Sequence, residues 1–93
     1  ACIAFPVGVG TLEELLEVIT WKQLGLYLKP IVVLNTADYY SPLLEQLARC
    51  ADQQFMRPVH CDIWRVATTP DEAIRLCEET PLWDSSVRRF AAL

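Results

Sequence analysis

Three short apolar runs, CIAF at residues 2–5, IVVLN at 31–35 and DIWRVATT at 62–69, are separated by segments whose apolar residues recur at helical spacing. This alternation constrains the chain more than any other feature. Short β-branched apolar runs form strands buried on both faces, and the helical segments between them cover those faces. Leu12, Leu15, Leu16 and Ile19 define the first helical stripe. Leu43, Leu44, Leu47 and Cys50 or Ala51 define the second, and Ala73, Ile74 and Cys77 the third. The order β-α-β-α-β-α with short connections predicts parallel strands over 2–5, 31–35 and about 63–67, in an open α/β sheet with right-handed crossovers and flanking helices.

Local signals set the expected boundaries. Thr11 followed by Glu14 reads as a T-x-x-E capping box opening the first helix, and Gly25 with Lys29–Pro30 marks its exit. Ser41 with Pro42 reads as an N-cap followed by proline in the first turn, and Arg57–Pro58 ends that helix. Thr69–Pro70–Asp71–Glu72 opens the third. Residues 81–93 read as a C-terminal tail, helical from Ser85.

With 53% hydrophobic and 22% charged residues in 93, the chain suits one small globular domain. Its net charge of −4 argues against nucleic acid as a partner, because no basic cluster exists to neutralise phosphates; the densest basic spot is Arg88–Arg89. The four cysteines, Cys2, Cys50, Cys61 and Cys77, show neither a C-x-x-C pair nor metal-ligand spacing, so they read as reduced structural thiols, buried in the helical patterns of Cys50 and Cys77. No signal peptide and no apolar run near 18 residues is visible, so the expectation is a soluble cytoplasmic protein without a membrane partner.

Two of the three glycines, Gly8 and Gly10, fall between the first strand and the first helix, in AFPVGVGTLEELLEVITW. In open α/β sheets ligands bind beyond the carboxyl ends of the strands. Free N–H groups at a helix N-terminus, with the helix dipole, favour a phosphate or carboxylate there. Glycine allows close backbone approach and positive φ, and the Thr11 hydroxyl can reach the same oxygens. The spacing alone fits equally a tight turn capped by Thr11, since the third glycine of a dinucleotide fingerprint and the lysine of a P-loop are both lacking. Glu13, Glu14 and Glu17 suit the positive end of the helix dipole. Glu14 and Glu17 share one face, placed for a sugar hydroxyl, a water or a developing cation.

PVGVGTLEE followed by EVITWKQLGLYLKP resembles the P-G-G-x-G-T-x-x-E signature of the Lonely Guy family, cytokinin-activating phosphoribohydrolases formerly labelled lysine decarboxylase-like. The similarity runs on through LNTADYYSPLL and, more weakly, FMRP and TTPDEAI, covering roughly residues 1–79. The resemblance implies a Rossmann-like fold and cofactor-free hydrolysis of the N-glycosidic bond of a nucleoside 5′-monophosphate, giving a base and ribose 5-phosphate. By position, Gly8, Val9, Gly10 and Thr11 would cradle the 5′-phosphate, Glu14 would be the catalytic carboxylate, and Glu17 a second acid toward the ribose hydroxyls. The family's homodimeric state, with sites near the interface, is implied as well. Residues 1–80 would then be the C-terminal portion of the nucleotide-binding domain, its first strands lying upstream.

Two departures stand out. The family's second glycine is Val7 here, and a β-branched residue tolerates positive φ poorly, so an altered phosphate loop is expected. The family also uses an arginine in an upstream Arg-Lys motif; Arg49, Arg57, Arg65 and Arg75 lie in the wrong contexts to replace it. Two other readings stay open: a nucleotide or cofactor carrier without hydrolysis, like the related molybdenum-cofactor carriers, and an α/β fragment that only self-associates. Among single residues, Trp21 reads as core or dimer packing over base stacking. The lone histidine, His60, reads as a surface or capping residue, and Tyr39 and Tyr40 as packing residues.

Overall fold

A computed structural model describes residues 1–83; the helix expected from Ser85 lies outside the described residues. Three strands, β1 (Cys2–Ala4), β2 (Ile31–Leu34) and β3 (Trp64–Ala67), form one sheet in the order β1-β2-β3. Both pairings are parallel, with Ala4 opposite Val33 and Leu34 opposite Ala67. Helices α1 (Val9–Gln23), α2 (Ser41–Asp52) and α3 (Pro70–Glu79) follow the strands in turn. This is the α/β architecture that the alternating runs predict.

The central strand explains the layering. All four residues of β2 are buried, and their side chains alternate between faces. Ile31 and Val33 join Ala4, Leu15, Ile19, Tyr40, Leu47, Ile63 and Trp64 on one side. Val32 and Leu34 join Ala67 and Ala73 on the other. Helices α1 and α2 therefore cover one face and α3 the opposite one. On α1 the buried residues are Leu15, Ile19 and Lys22; Leu16, expected in the stripe, is 40% exposed because it lies a quarter-turn beyond Leu15. Ile74 of α3 is also exposed, and Leu76 packs in its place.

Two helix starts differ from expectation. Helix α1 begins two residues before Thr11, with extended Gly8 as its N-cap (φ −91°, ψ −163°). The Gly8 carbonyl accepts the N–H groups of Thr11 (3.2 Å) and Leu12 (3.3 Å), so Thr11 lies inside the helix and no Thr11–Glu14 box forms. Ser41 is the first residue of α2 and Tyr40 its cap, a shift of one position. At α3 the cap does form: Thr69 Oγ1 accepts the Glu72 N–H (3.2 Å), and the Glu72 carboxylate accepts the N–H of Thr68, one residue before the cap (2.7 Å). Helix α1 ends at Gly25 in the left-handed region (φ 78°). There the Leu26 N–H bonds to the Trp21 carbonyl and the Gly25 N–H to that of Lys22, as in a Schellman motif.

Two buried titratable side chains, His60 and Lys22, were not expected. His60 is fully buried, a correction to its reading as a surface residue, while its Nδ1 accepts the Arg57 N–H (3.3 Å), so the capping half of that reading holds. Burial and the neighbouring Arg57 push its pKa down. Lys22 is 1% exposed; its Nζ donates to the Lys29 carbonyl (3.0 Å) and lies 5.5 Å from the centroid of the Trp83 ring.

Candidate functional site

The glycine turn sits where β1 ends and α1 begins, at the carboxyl edge of the sheet. Its geometry follows from Gly8. The Gly8 carbonyl is committed to Thr11 and Leu12, so the Thr11 N–H is already used. The N–H groups of Val9 and Gly10 precede the first possible intrahelical bond and have no acceptor within the helix. Gly8, Val9 and Gly10 are all exposed. A Cβ added at Gly8 or Gly10 would meet nothing within 4 Å. Neither glycine adopts the positive φ that sequence reasoning expected; extended Gly8 leads straight into the helix. What the turn offers is open space beside both glycines, where no protein atom stands in the way of a ligand.

Val7 fits the same picture. It lies outside the left-handed region, which among non-glycine described residues holds only Ala37, Asp38 and Gln54. The valine in place of glycine therefore meets no backbone demand at that position. Its side chain is half-exposed, as are those of Phe5 and Tyr39 beside it.

Thr11 is half-buried in the first turn, and Glu14 and Glu17 are exposed further along α1. No acidic residue occupies the first turn, so Glu13 and Glu14 stand one turn further from the dipole's positive end than the sequence suggested. The helical rise of about 1.5 Å per residue places Glu14 about 6 Å along the axis from Gly10. Glu14 and Glu17 take part in no ion pair among the described residues, whereas Glu72 and Glu79 are engaged by Arg75 (3.7 and 3.5 Å). The structure thus brings Gly8, Val9, Gly10 and Thr11 together at one helix end, with the two carboxylates on the same helix. None of the four arginines weighed above joins them: Arg49 is in α2, Arg57 before the 3₁₀ turn Pro58–Asp62, Arg65 in β3 and Arg75 in α3.

Sequence reasoning missed the partners of this turn. The β2–α2 connection opens with Asn35 and a 3₁₀ turn, Thr36–Asp38, in which Ala37 (φ 51°) and Asp38 (φ 59°) are left-handed. Asn35 holds it: Oδ1 accepts the Tyr40 N–H (2.7 Å), and Nδ2 donates to Ser41 Oγ (3.1 Å). Ser41 Oγ in turn donates to Asp38 (3.3 Å). From this support the Tyr40 hydroxyl donates to the Phe5 carbonyl (2.5 Å), and the Tyr39 hydroxyl donates to that of Val7. The two rings meet edge to face with centroids 5.1 Å apart. The packing reading of Tyr40 holds, since it is 1% exposed; Tyr39 is 49% exposed. The N-x-x-x-Y-Y spacing was the available signal, but nothing in it says which carbonyls the hydroxyls reach.

The remaining candidates lie elsewhere. The four cysteines are unpaired and half-buried, so Cys50 and Cys77 are less enclosed than expected. Trp21, near the end of α1, is 45% exposed. A cavity of about 530 Å³ at the C-terminal end of α2 is lined by Ala51, Asp52 and Gln54 to Pro58, and includes no residue of the glycine turn. Among the described residues, no three His, Cys, Asp or Glu side chains gather as a metal-ligand set, and no helix is long and apolar enough to cross a membrane.

Comparison with known proteins places these features in a lineage. A family described as possible lysine decarboxylase matches residues 1–77. A protein of Oryza sativa subsp. japonica named as a probable cytokinin riboside 5′-monophosphate phosphoribohydrolase is 49% identical over 79 residues, which are 85% of this chain and 32% of that protein. Two Arabidopsis thaliana proteins named as cytokinin riboside 5′-monophosphate phosphoribohydrolases are 46% and 47% identical over 79 residues, again 85% of this chain and 37% and 36% of their lengths. The chain spans about a third of the length of these curated relatives.

Proposed function

The chain belongs to the possible lysine decarboxylase, or Lonely Guy, family, and on that premise we propose that it carries the phosphate cradle and catalytic carboxylate of a nucleoside 5′-monophosphate phosphoribohydrolase. The observation that carries this reading is the open glycine turn at the N-terminus of a 15-residue helix that also bears Glu14. The 5′-phosphate would be held by the N–H groups of Gly8, Val9 and Gly10 and by the Thr11 hydroxyl, where the helix dipole and free donors favour an anion. Glu14, about one turn further on, would face the ribose.

The chemistry follows from that placement. Water adds to the anomeric carbon as the bond to the base nitrogen breaks, and the base leaves with a proton. Positive charge develops on the ribose in between. The Glu14 carboxylate stabilises that oxocarbenium-like centre and orients the attacking water, as carboxylates do in glycoside hydrolysis. Glu17, one turn beyond, would accept hydrogen bonds from ribose hydroxyls. The scheme requires no cofactor.

A carrier that binds nucleotides without cleaving them would use the same turn but would not need Glu14. The test separates the two. A nucleoside monophosphate is expected to shift the amide signals of Gly8, Gly10 and Thr11, and the corresponding nucleoside to do so far less. In a chain extended upstream to the length of the relatives, Glu14→Gln is expected to retain that binding and to lower base release at least about 100-fold, the scale of general acid–base assistance. Base release that survives Glu14→Gln would sink the catalytic assignment and leave only the anion cradle.

A further inference from the structure

The glycine turn is fixed from outside its own helix. Phe5, Pro6 and Val7 link β1 to Gly8, and Pro6 has no N–H to contribute. Two consecutive tyrosines from the next βα connection donate their hydroxyls to the carbonyls on either side of that proline, Tyr40 to Phe5 and Tyr39 to Val7. Their base is itself braced, since Asn35 holds the Tyr40 N–H and the Ser41 hydroxyl. Tyr40 is buried and anchors the strand end. Tyr39 is half-exposed and anchors the residue immediately before the N-cap.

We infer that Tyr39 and Tyr40 are positioning residues for the phosphate site: their hydroxyls hold the Phe5 and Val7 carbonyls, and so set where the N–H groups of Gly8, Val9 and Gly10 point. The inference rests on the reading of that turn as a phosphate cradle. The physical argument is preorganisation. Donors already aimed at one point bind an anion without a further ordering cost, whereas a turn free to rotate about Val7 must be ordered by the ligand. Each hydroxyl bond spans more than 30 residues of sequence (|i−j| of 32 and 35), so its loss frees the turn from the second βα unit without touching α1 itself.

Tyr39→Phe removes only a hydroxyl from a half-exposed ring, so the fold is expected to survive. Its affinity for a nucleoside 5′-monophosphate should fall about tenfold, the equivalent of one net hydrogen bond. Amide exchange at Gly8, Val9 and Gly10 should accelerate, while the weak affinity for the nucleoside stays unchanged. Tyr40→Phe should give the same loss of monophosphate affinity together with lower stability, because it strands the Phe5 carbonyl. Thr69→Ala, a cap on the opposite face of the sheet, supplies a control destabilised elsewhere; it should bind the monophosphate as the parent chain does. Equal loss in that control would mean general destabilisation and would overturn the positioning role. If the parent chain binds the monophosphate and Tyr39→Phe binds it equally well, the cradle stands and the positioning role alone is overturned. If the parent chain binds no monophosphate, the cradle reading fails and the positioning role falls with it.

Discussion

Raising the pH from 7 to 10 is expected to relieve roughly 2–3 kcal/mol of destabilisation at Lys22. Its ammonium is buried with one carbonyl acceptor and an aromatic ring, and no carboxylate pairs with it among the described residues. Desolvation, with a smaller contribution from Arg65, pushes its pKa from 10.5 down to about 8. Below about pH 8 both folded and unfolded chains are protonated, and the folded state bears the full cost of the buried charge. Between about 8 and 10.5 the unfolded chain holds the proton and the folded chain has lost it, so stability rises with pH. Above that window both are neutral. Each unit of pKa difference is worth about 1.4 kcal/mol, and most of the window lies below pH 10.

Other groups slope the opposite way. Burial pushes the Cys2 and Cys61 thiols and the Tyr27 and Tyr40 phenols up, so each costs stability once its unfolded form ionises. The measurement is therefore a difference between the chain and Lys22→Met, in which those groups cancel. Methionine keeps the unbranched shape but strands the Lys29 carbonyl, a penalty of about 1–3 kcal/mol that does not vary with pH. Urea unfolding followed by tryptophan fluorescence at pH 7, 8, 9 and 10 gives the two stability curves. Lys22→Met should lose ground to the parent chain by roughly 2–3 kcal/mol across that range. Parallel curves would refute the buried, unpaired ammonium.

Two further outcomes follow. Thr69→Ala, which removes the side-chain acceptor for the Glu72 N–H, should cost about 1 kcal/mol in urea or thermal unfolding, whereas Thr11→Ala should cost less because Thr11 caps nothing. The homodimer implied by family resemblance is also proposed; light scattering at high micromolar concentration should give a dimer mass, and a monomer would count against it.

How much of this was legible in the sequence depends on how local each cause is. The strands were readable because β2 is buried on both faces and so carries an unbroken run, Ile31–Leu34. The start of α3 was readable because Pro70 fits the first turn and Thr69 the cap. Thr11 and Glu14 show the same T-x-x-E pattern, yet Gly8 captures the cap three residues earlier, since its carbonyl already accepts from Thr11 and Leu12. The location of the glycine turn was legible; its conformation was not, because an extended Gly8 and a left-handed one share the same letter. Lys22 and His60 defeat composition-based reasoning outright, because charged and titratable residues ordinarily stay near water. The tyrosine contacts were out of reach for another reason: they depend on strand register.

That register is what joins the two halves of the candidate site. Parallel pairing of Ala4 with Val33 sets the end of β1 level with the end of β2, so Phe5–Val7 and Asn35–Tyr40 leave the sheet side by side. A slip of one residue would move the Phe5 carbonyl about 3.3 Å along the strand, beyond the reach of a hydroxyl fixed at Tyr40, and would send β1 side chains to the wrong face. The burial of Ile31 and Val33 against α1, and of Val32 and Leu34 against α3, makes such a slip costly. Small residues on the second face, Ala67 and Ala73, let α3 lie close to the sheet and seal that side without supplying any residue of the site. The conformation of the glycine turn is therefore held by the hydrophobic core through β2: apolar burial fixes the register, the register aligns the strand ends, and the aligned ends let two tyrosines hold the turn from which α1 presents its free N–H groups.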